Sequence, residues 1–157
     1  EIYSAGVVDA FGLPDIVVFS FGTNEAFNER NVPYEDAHAM MWRLIRQAAE
    51  AGARCVIVLE GNHLHYTDGG AFLDRWFADM HAMEGARSWL GYDYTFLVAD
   101  ASNAPTADGV HFTAEGTTLA GKTIKQQMAN CPAGRWTTTN DGLRAGESLA
   151  PLPWHER

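Results

Sequence analysis

Short runs of apolar residues place the strongest constraint on the fold of this chain. Residues 16–21 form a continuous, largely β-branched run that ends at Gly22, and residues 55–59 and 94–99 form two more. Strands that are buried on both faces of a parallel sheet have this appearance. The chain is therefore expected to build a parallel sheet from three buried strands.

Helical patterns fill the intervals between these strands. Between residues 33 and 52 apolar residues recur at helical spacing, Glu35 and Asp36 favour the positive helix N-terminus, and Gly52 is placed to end the helix. Further helices are predicted over residues 70–84 and from the N-cap Thr113 to about residue 130. The β-α-β-α-β-α order predicts an α/β fold with helices on both faces of the sheet.

Composition and charge narrow the class of protein. A chain of 157 residues with 46% apolar residues fits one folded domain, predicted over residues 1–130, followed by an irregular tail over 131–157. The net charge of -9 disfavours nucleic acid and anionic membranes as partners. No apolar stretch approaches the ~20 residues that a membrane-spanning helix needs.

Two cysteines, Cys55 and Cys131, are too few for a disulfide scaffold or a cysteine zinc site. Because Cys55 lies in an apolar run, a small buried thiol is the simplest expectation. The sequence leaves open whether the two cysteines are bonded to each other.

Polar residues follow the predicted strands at the edge where open α/β sheets bind ligands. Asp108 precedes His111 by three residues in a turn opened by Asp-Gly, so the carboxylate can fold back onto Nδ1 of the imidazole. A general base needs this arrangement, because the carboxylate fixes the tautomer and stabilises the imidazolium. An ordinary turn beside an incidental histidine is the alternative interpretation.

Asn24 follows the first predicted strand, where its side-chain amide can donate a hydrogen bond to an oxyanion. The alternative is a turn in which Asn24 bonds only its own backbone. Since the topology places the loops after the first and third strands at one edge, Asn24 and the Asp108–His111 pair together predict a catalytic site there.

The polar loop after the second strand supplies weaker candidates. Asn62 and His63 are predicted to line a substrate cleft. His63, His65 and Asp68 form a loose pattern of metal ligands, for which a simple polar loop is the preferred interpretation. No metal and no cofactor is predicted.

Two segments resemble conserved blocks of the SGNH, or GDSL-like, esterases and lipases. Residues 14–25, Pro-Asp-Ile-Val-Val-Phe-Ser-Phe-Gly-Thr-Asn-Glu, resemble the third block, and residues 108–116, Asp-Gly-Val-His-Phe-Thr-Ala-Glu-Gly, resemble the fifth. The resemblance covers about residues 14–130 and implies a flavodoxin-like three-layer fold. It also implies acyl-ester chemistry through a serine, with Asn24 as oxyanion donor, His111 as base and Asp108 as its orienting partner.

The family's first block, whose Gly-Asp-Ser carries the nucleophilic serine, has no counterpart in this sequence. The five serines fit that block poorly, and Ser20 is expected to pack within its strand. Gly6 resembles the second-block glycine whose N–H helps to bind the oxyanion, and Gly22 is a second weak candidate for that role. Because open sheets commonly carry about five strands, the first strand and its serine are expected in an upstream segment or a partner chain.

The leading interpretation is therefore a serine ester hydrolase acting on a small ester, a lipid or an acylated glycan. An acyltransferase that uses the same acyl-enzyme chemistry is one alternative, and a non-catalytic binding relative that lost its serine is another. The resemblance favours an extracytoplasmic or cell-envelope location. Because the base must be neutral, activity is expected to rise through the ordinary histidine range, about pH 6.5.

Overall fold

The computed structural model describes residues 14–27, 32–63 and 70–132. Its elements follow one another along the chain as β1 (Ile16–Phe19), α1 (Thr23–Phe27), α2 (Tyr34–Glu50), β2 (Cys55–Glu60), α3 (Gly70–Ala82), β3 (Gly85–Trp89), β4 (Tyr92–Asp100) and α4 (Ala114–Met128). The three predicted strands and three predicted helices are all present, with ends shifted by a few residues. Among the described helices, none combines the length and the apolar character that crossing a bilayer requires.

The four described strands form one mixed sheet in the order β1-β2-β4-β3. β1, β2 and β4 run parallel, and β3 runs antiparallel to β4. The register pairs Glu60 with Asp100 at the carboxyl ends of β2 and β4. The loops that follow the three parallel strands therefore begin at one common edge.

The three predicted strands run parallel as expected, and β3, which was not predicted, adds an antiparallel hairpin at the edge of the sheet. Leu90 and Gly91 connect β3 to β4 with φ angles of 50° and 86°. A two-residue turn with positive φ at both positions matches the twist of paired strands. The β3 sequence Gly-Ala-Arg-Ser-Trp has no β-branched residue, so it carried little strand signal.

Helices cover both faces of the sheet, as predicted. Alternate residues of a strand point to opposite faces, and Val56 and Val58 belong to the larger core while Ile57 belongs to the smaller one. α2 and α3 build the larger core through Met41, Ile45, Leu73, Trp76, Phe77 and Met80. On the other face, Ile124 of α4 packs against the smaller core. The fold is a three-layer α/β/α arrangement.

A disulfide joins Cys55 at the start of β2 to Cys131 after α4, with the two Cα atoms 5.6 Å apart. The expected buried thiol is therefore wrong, although Cys55 is buried as predicted. The two residues are 76 positions apart in the sequence, so their contact depends on α4 packing back across the sheet. Apart from Cys131 and Pro132, the predicted tail lies outside the described residues.

Candidate active site

The loop between β4 and α4 holds Asp108 and His111 in direct contact. Nδ1 of His111 lies 2.7 Å from Oδ2 of Asp108. The other carboxylate oxygen accepts the backbone N–H groups of Val110 at 2.9 Å and His111 at 2.8 Å. Gly109, with φ of 84°, lets the chain reverse between the two side chains. Because the carboxylate accepts a hydrogen from Nδ1, the neutral imidazole keeps Nε2 as a hydrogen-bond acceptor.

The environment of Asp108 keeps its carboxylate ionised. Hydrogen bonds from the backbone and the side chain of His111, and from the backbone of Val110, hold the pKa of Asp108 far below its usual value. The side chains of His111 and Asp108 are 80% and 56% exposed. The predicted pair is thus formed at the surface, where a ligand can reach the imidazole.

Local bonds fix the loop that carries this pair. The side chain of Thr113 caps α4 by accepting the N–H of Gly116 at 3.1 Å, as its predicted N-cap position requires. The N–H of Thr113 donates to the carbonyl of Pro105 at 3.0 Å. That carbonyl lies so close to Gly116 that a Cβ there would be 2.0 Å from its oxygen. Only a glycine lets the loop lie against the first turn of α4 in this way.

Asn24 lies in α1, directly after the carboxyl end of β1, and its side chain is exposed. The carboxylate of Glu25 accepts the N–H of Gly22 at 2.9 Å and so closes the turn between β1 and α1. This bond occupies the N–H that the weaker oxyanion prediction assigned to Gly22. The other backbone candidate, Gly6, lies outside the described residues.

The topology brings the loops of Asn24 and His111 to the same edge of the sheet. β1 and β4 flank β2, so at the usual strand spacing their axes are about 10 Å apart. Both loops begin at the carboxyl ends of these parallel strands. The joint action of Asn24 and His111 on one substrate stays a prediction, for which this shared edge is the structural basis.

A chain of carboxylates and imidazoles, which the sequence did not reveal, is centred on one buried carboxylate at the end of β2. Glu60 is only 4% exposed. Its Oε1 lies 2.5 Å from Nε2 of His63 and its Oε2 lies 2.7 Å from Nε2 of His81. Nδ1 of His63 contacts Asp74 at 2.7 Å, and Nδ1 of His81 contacts Glu84 at 3.2 Å. Glu60 is the last residue of the apolar strand β2, and nothing in its sequence context indicates that it contacts two histidines.

These contacts bear on the weaker candidates in the loop after β2. Both ring nitrogens of His63 face carboxylates, which favours a structural role over contact with a substrate. Asn62 is half-buried in the same loop. His65 and Asp68 lie outside the described residues, and within the described ranges no three His, Cys, Asp or Glu side chains are grouped to hold a metal ion.

The structure describes three of the five serines, Ser20, Ser88 and Ser102, which differ in their exposure and hydrogen bonding. Ser20 is exposed, contrary to the expectation that it packs, and lies one residue beyond the end of β1 at Phe19. Ser88 lies in β3, and the hydroxyl of Ser102 donates to Asp100 at 2.6 Å. Ser4 and Ser148 lie outside the described residues.

Comparison with known proteins yields no match to a family model and no match among curated proteins. Solved structures do match. A carbohydrate esterase family 3 protein from Talaromyces cellulolyticus aligns with a TM-score of 0.55 and 17% identity over 78% of this chain and 60% of that one. An acetyl esterase mutant with an acetate ion aligns with a TM-score of 0.54 and 17% identity over 74% of this chain and 58% of that one. The likeness shows a distant SGNH-like fold, and the chain spans less than two thirds of either protein.

Proposed function

We propose that this chain carries the base, its orienting carboxylate and an oxyanion donor of a serine ester hydrolase. The observation that carries the proposal is the 2.7 Å contact between His111 Nδ1 and Asp108 Oδ2 on an exposed loop. This contact leaves Nε2 of His111 as the acceptor that a general base needs. The SGNH-like fold and the esterases among its structural neighbours support the choice of reaction.

The reaction assigns one task to each residue. Nε2 of His111 removes the proton of a serine hydroxyl as its oxygen attacks the ester carbonyl carbon, and Asp108 stabilises the imidazolium that forms. The side-chain amide of Asn24 donates a hydrogen bond to the resulting oxyanion. His111 then returns the proton to the leaving alcohol, and an acyl-serine remains. Water, activated by the same imidazole, releases the acid and restores the serine.

In this proposal the nucleophilic serine lies outside the described residues. β1 is an edge strand of the described sheet, and Val18 within it is exposed. A further parallel strand beside β1 would end at the same edge as the loops of Asn24 and His111. That place suits a strand that presents a serine, supplied by an upstream segment or by a partner chain.

Replacing His111 tests the proposal in the natural polypeptide that includes any upstream segment. His111→Ala is expected to remove nearly all hydrolysis of p-nitrophenyl acetate, because no other group takes the serine proton. Because the His111 side chain is largely exposed, circular dichroism and the unfolding midpoint should stay close to those of the wild type. Unchanged hydrolysis by a folded His111→Ala protein contradicts the proposal.

Labelling with a fluorophosphonate locates the nucleophile. Mass spectrometry of the labelled wild type is expected to find the modified serine upstream of Glu1. Modification of Ser20 instead would place the nucleophile at the end of β1 and overturn the assignment to another segment. A protein that neither labels nor hydrolyses esters would be a binding relative without catalytic activity.

A further inference from the structure

A pocket of about 250 Å³ opens beside Asn24, between α1, α2 and α3. Its walls are mainly apolar, with Asn24 and Glu25 as its polar members. The larger apolar side chains that line it, besides the small Ala37, are Phe21, Val32, Met40, Met41, Leu44 and Trp76. His111 and Asp108 are not among the lining residues. The pocket therefore adjoins the proposed oxyanion donor and does not include the base.

The two parts of the pocket differ in chemistry. At one part lie the polar side chains of Asn24 and Glu25. Trp76 contributes ring surface to the wall, since its Nε1 is buried and lies against Gly22, where an added Cβ would be 3.0 Å from it. Along α2 the walls are Met40, Met41 and Leu44, which offer only hydrocarbon and thioether surface.

We propose that this pocket binds the acyl group of the ester substrate and that this acyl group is an aliphatic chain longer than acetyl. The inference rests on the proposed function, because Asn24 must lie beside the ester carbonyl. A ligand with its oxygen near Asn24 and its alkyl chain along α2 matches both parts of the pocket. Methionine side chains are unbranched and adaptable, which suits a flexible chain.

The size of the pocket supports a chain rather than a single methyl group. A dry apolar cavity of about 150 Å³ already accommodates a six-carbon ring such as benzene. The pocket here is larger, at about 250 Å³. An acyl chain of about eight carbons therefore has room, whereas an acetyl group would leave most of the apolar wall uncovered.

Binding of sodium octanoate to the 157-residue chain, measured by calorimetry with sodium acetate as reference, tests the pocket without catalysis. Octanoate is expected to bind saturably, and acetate is not.

Leu44→Trp fills the pocket and should weaken octanoate binding about tenfold or more, since the loss of space for even one or two methylenes has that effect. Met40→Trp repeats the test at an exposed rim position, in case Leu44→Trp does not fold. Leu119→Trp, on an exposed site of α4, is the matched control and should bind like the wild type.

Hydrolysis by the natural polypeptide that carries the nucleophile separates this inference from the proposed function. The expected result is a higher kcat/KM for p-nitrophenyl octanoate than for p-nitrophenyl acetate, with the ratio lowered by Leu44→Trp and unchanged by Leu119→Trp. Hydrolysis of the acetate ester alone overturns the acyl-chain inference and leaves the proposed function intact. Saturable octanoate binding without hydrolysis of either ester overturns the proposed function but supports the chain pocket. Absence of saturable octanoate binding, or equal binding by folded Leu44→Trp and Met40→Trp, overturns the pocket.

Discussion

Asp108 is the residue whose substitution should affect the proposed reaction most selectively. Asp108→Asn keeps the shape but replaces the negative charge by an amide that can donate to Nδ1, which favours the wrong tautomer of His111. We expect kcat for ester hydrolysis to fall by about 10⁴-fold. Asp93→Asn, the same change at an exposed position of β4, is the control and should retain full activity. Equal kcat values for the two variants would refute the role of Asp108.

Two glycines of α4 offer a second comparison between single residues. Gly116→Ala places a Cβ 2.0 Å from the backbone oxygen of Pro105, so the loop or the helix must move. We expect a loss of about 1–3 kcal/mol in the free energy of unfolding. Gly121→Ala meets no atom within 4 Å and should instead stabilise the helix by about 1 kcal/mol. Denaturant titration of both variants measures the difference, and equal stabilities would contradict the close approach at Gly116.

The sequence predicted the local part of the candidate site and missed the part that depends on packing. Asp108 and His111 are three residues apart, so a turn alone brings them together. Glu60 and His81 are 21 positions apart, and their contact depends on where α3 ends relative to β2. Neither the buried Nε1 of Trp76, which lacks a hydrogen-bond partner within the described ranges, nor the pocket beside Asn24 follows from periodicity.

Among the elements, α3 is tied to β2 by an ionisable contact that should make stability depend on pH. Burial disfavours the charged ring of His81, but hydrogen bonds to Glu60 and Glu84 outweigh it and raise the pKa of His81. A raised pKa stabilises the folded state below the unfolded value of about 6.5, and this contribution disappears as pH rises through the folded pKa. The free energy of unfolding should therefore decrease between about pH 6 and pH 8.

The variant His81→Gln separates this contact from other sources of pH dependence. Glutamine has no proton to lose in this range, so denaturant titrations at a series of pH values should give a flatter profile than for the wild type. Parallel profiles for the two proteins would show that the contact between His81 and Glu60 does not couple α3 to β2.

The predictability of the elements follows from their length and burial. β2 has four buried residues in succession, and α2 has 17 residues with one apolar face, so both carried clear patterns. α1 has five residues and β3 has alternating partial exposure with no β-branched residue. β3 forms because it pairs with β4, and α1 is held by the turn at Gly22 and by contact with α3. No local pattern in the sequence records these contacts.

At the scale of the whole molecule, the disulfide should contribute much of the stability. It closes a loop across a sequence separation of 76 residues, and the chain-entropy relation gives about 4.5 kcal/mol for a loop of this size. We expect Cys131→Ser to lower the free energy of unfolding by up to that amount in denaturant titrations. The wild type under reducing conditions should approach the variant, while the variant itself should be insensitive to reductant. A variant as stable as the oxidised wild type would show that this bond contributes nothing.

The same bond also closes residues 55–131 into a covalent ring, which is preceded in the chain by a linear part, residues 1–54. Asp108 and His111 belong to the ring, whereas Asn24 belongs to the linear part. A protease cut within the ring leaves both products on one molecule until the bond is reduced. A cut between Asn24 and Cys55 instead produces two separate polypeptides, one with the amide and one with the imidazole, held together only by non-covalent contacts of the sheet and the larger core.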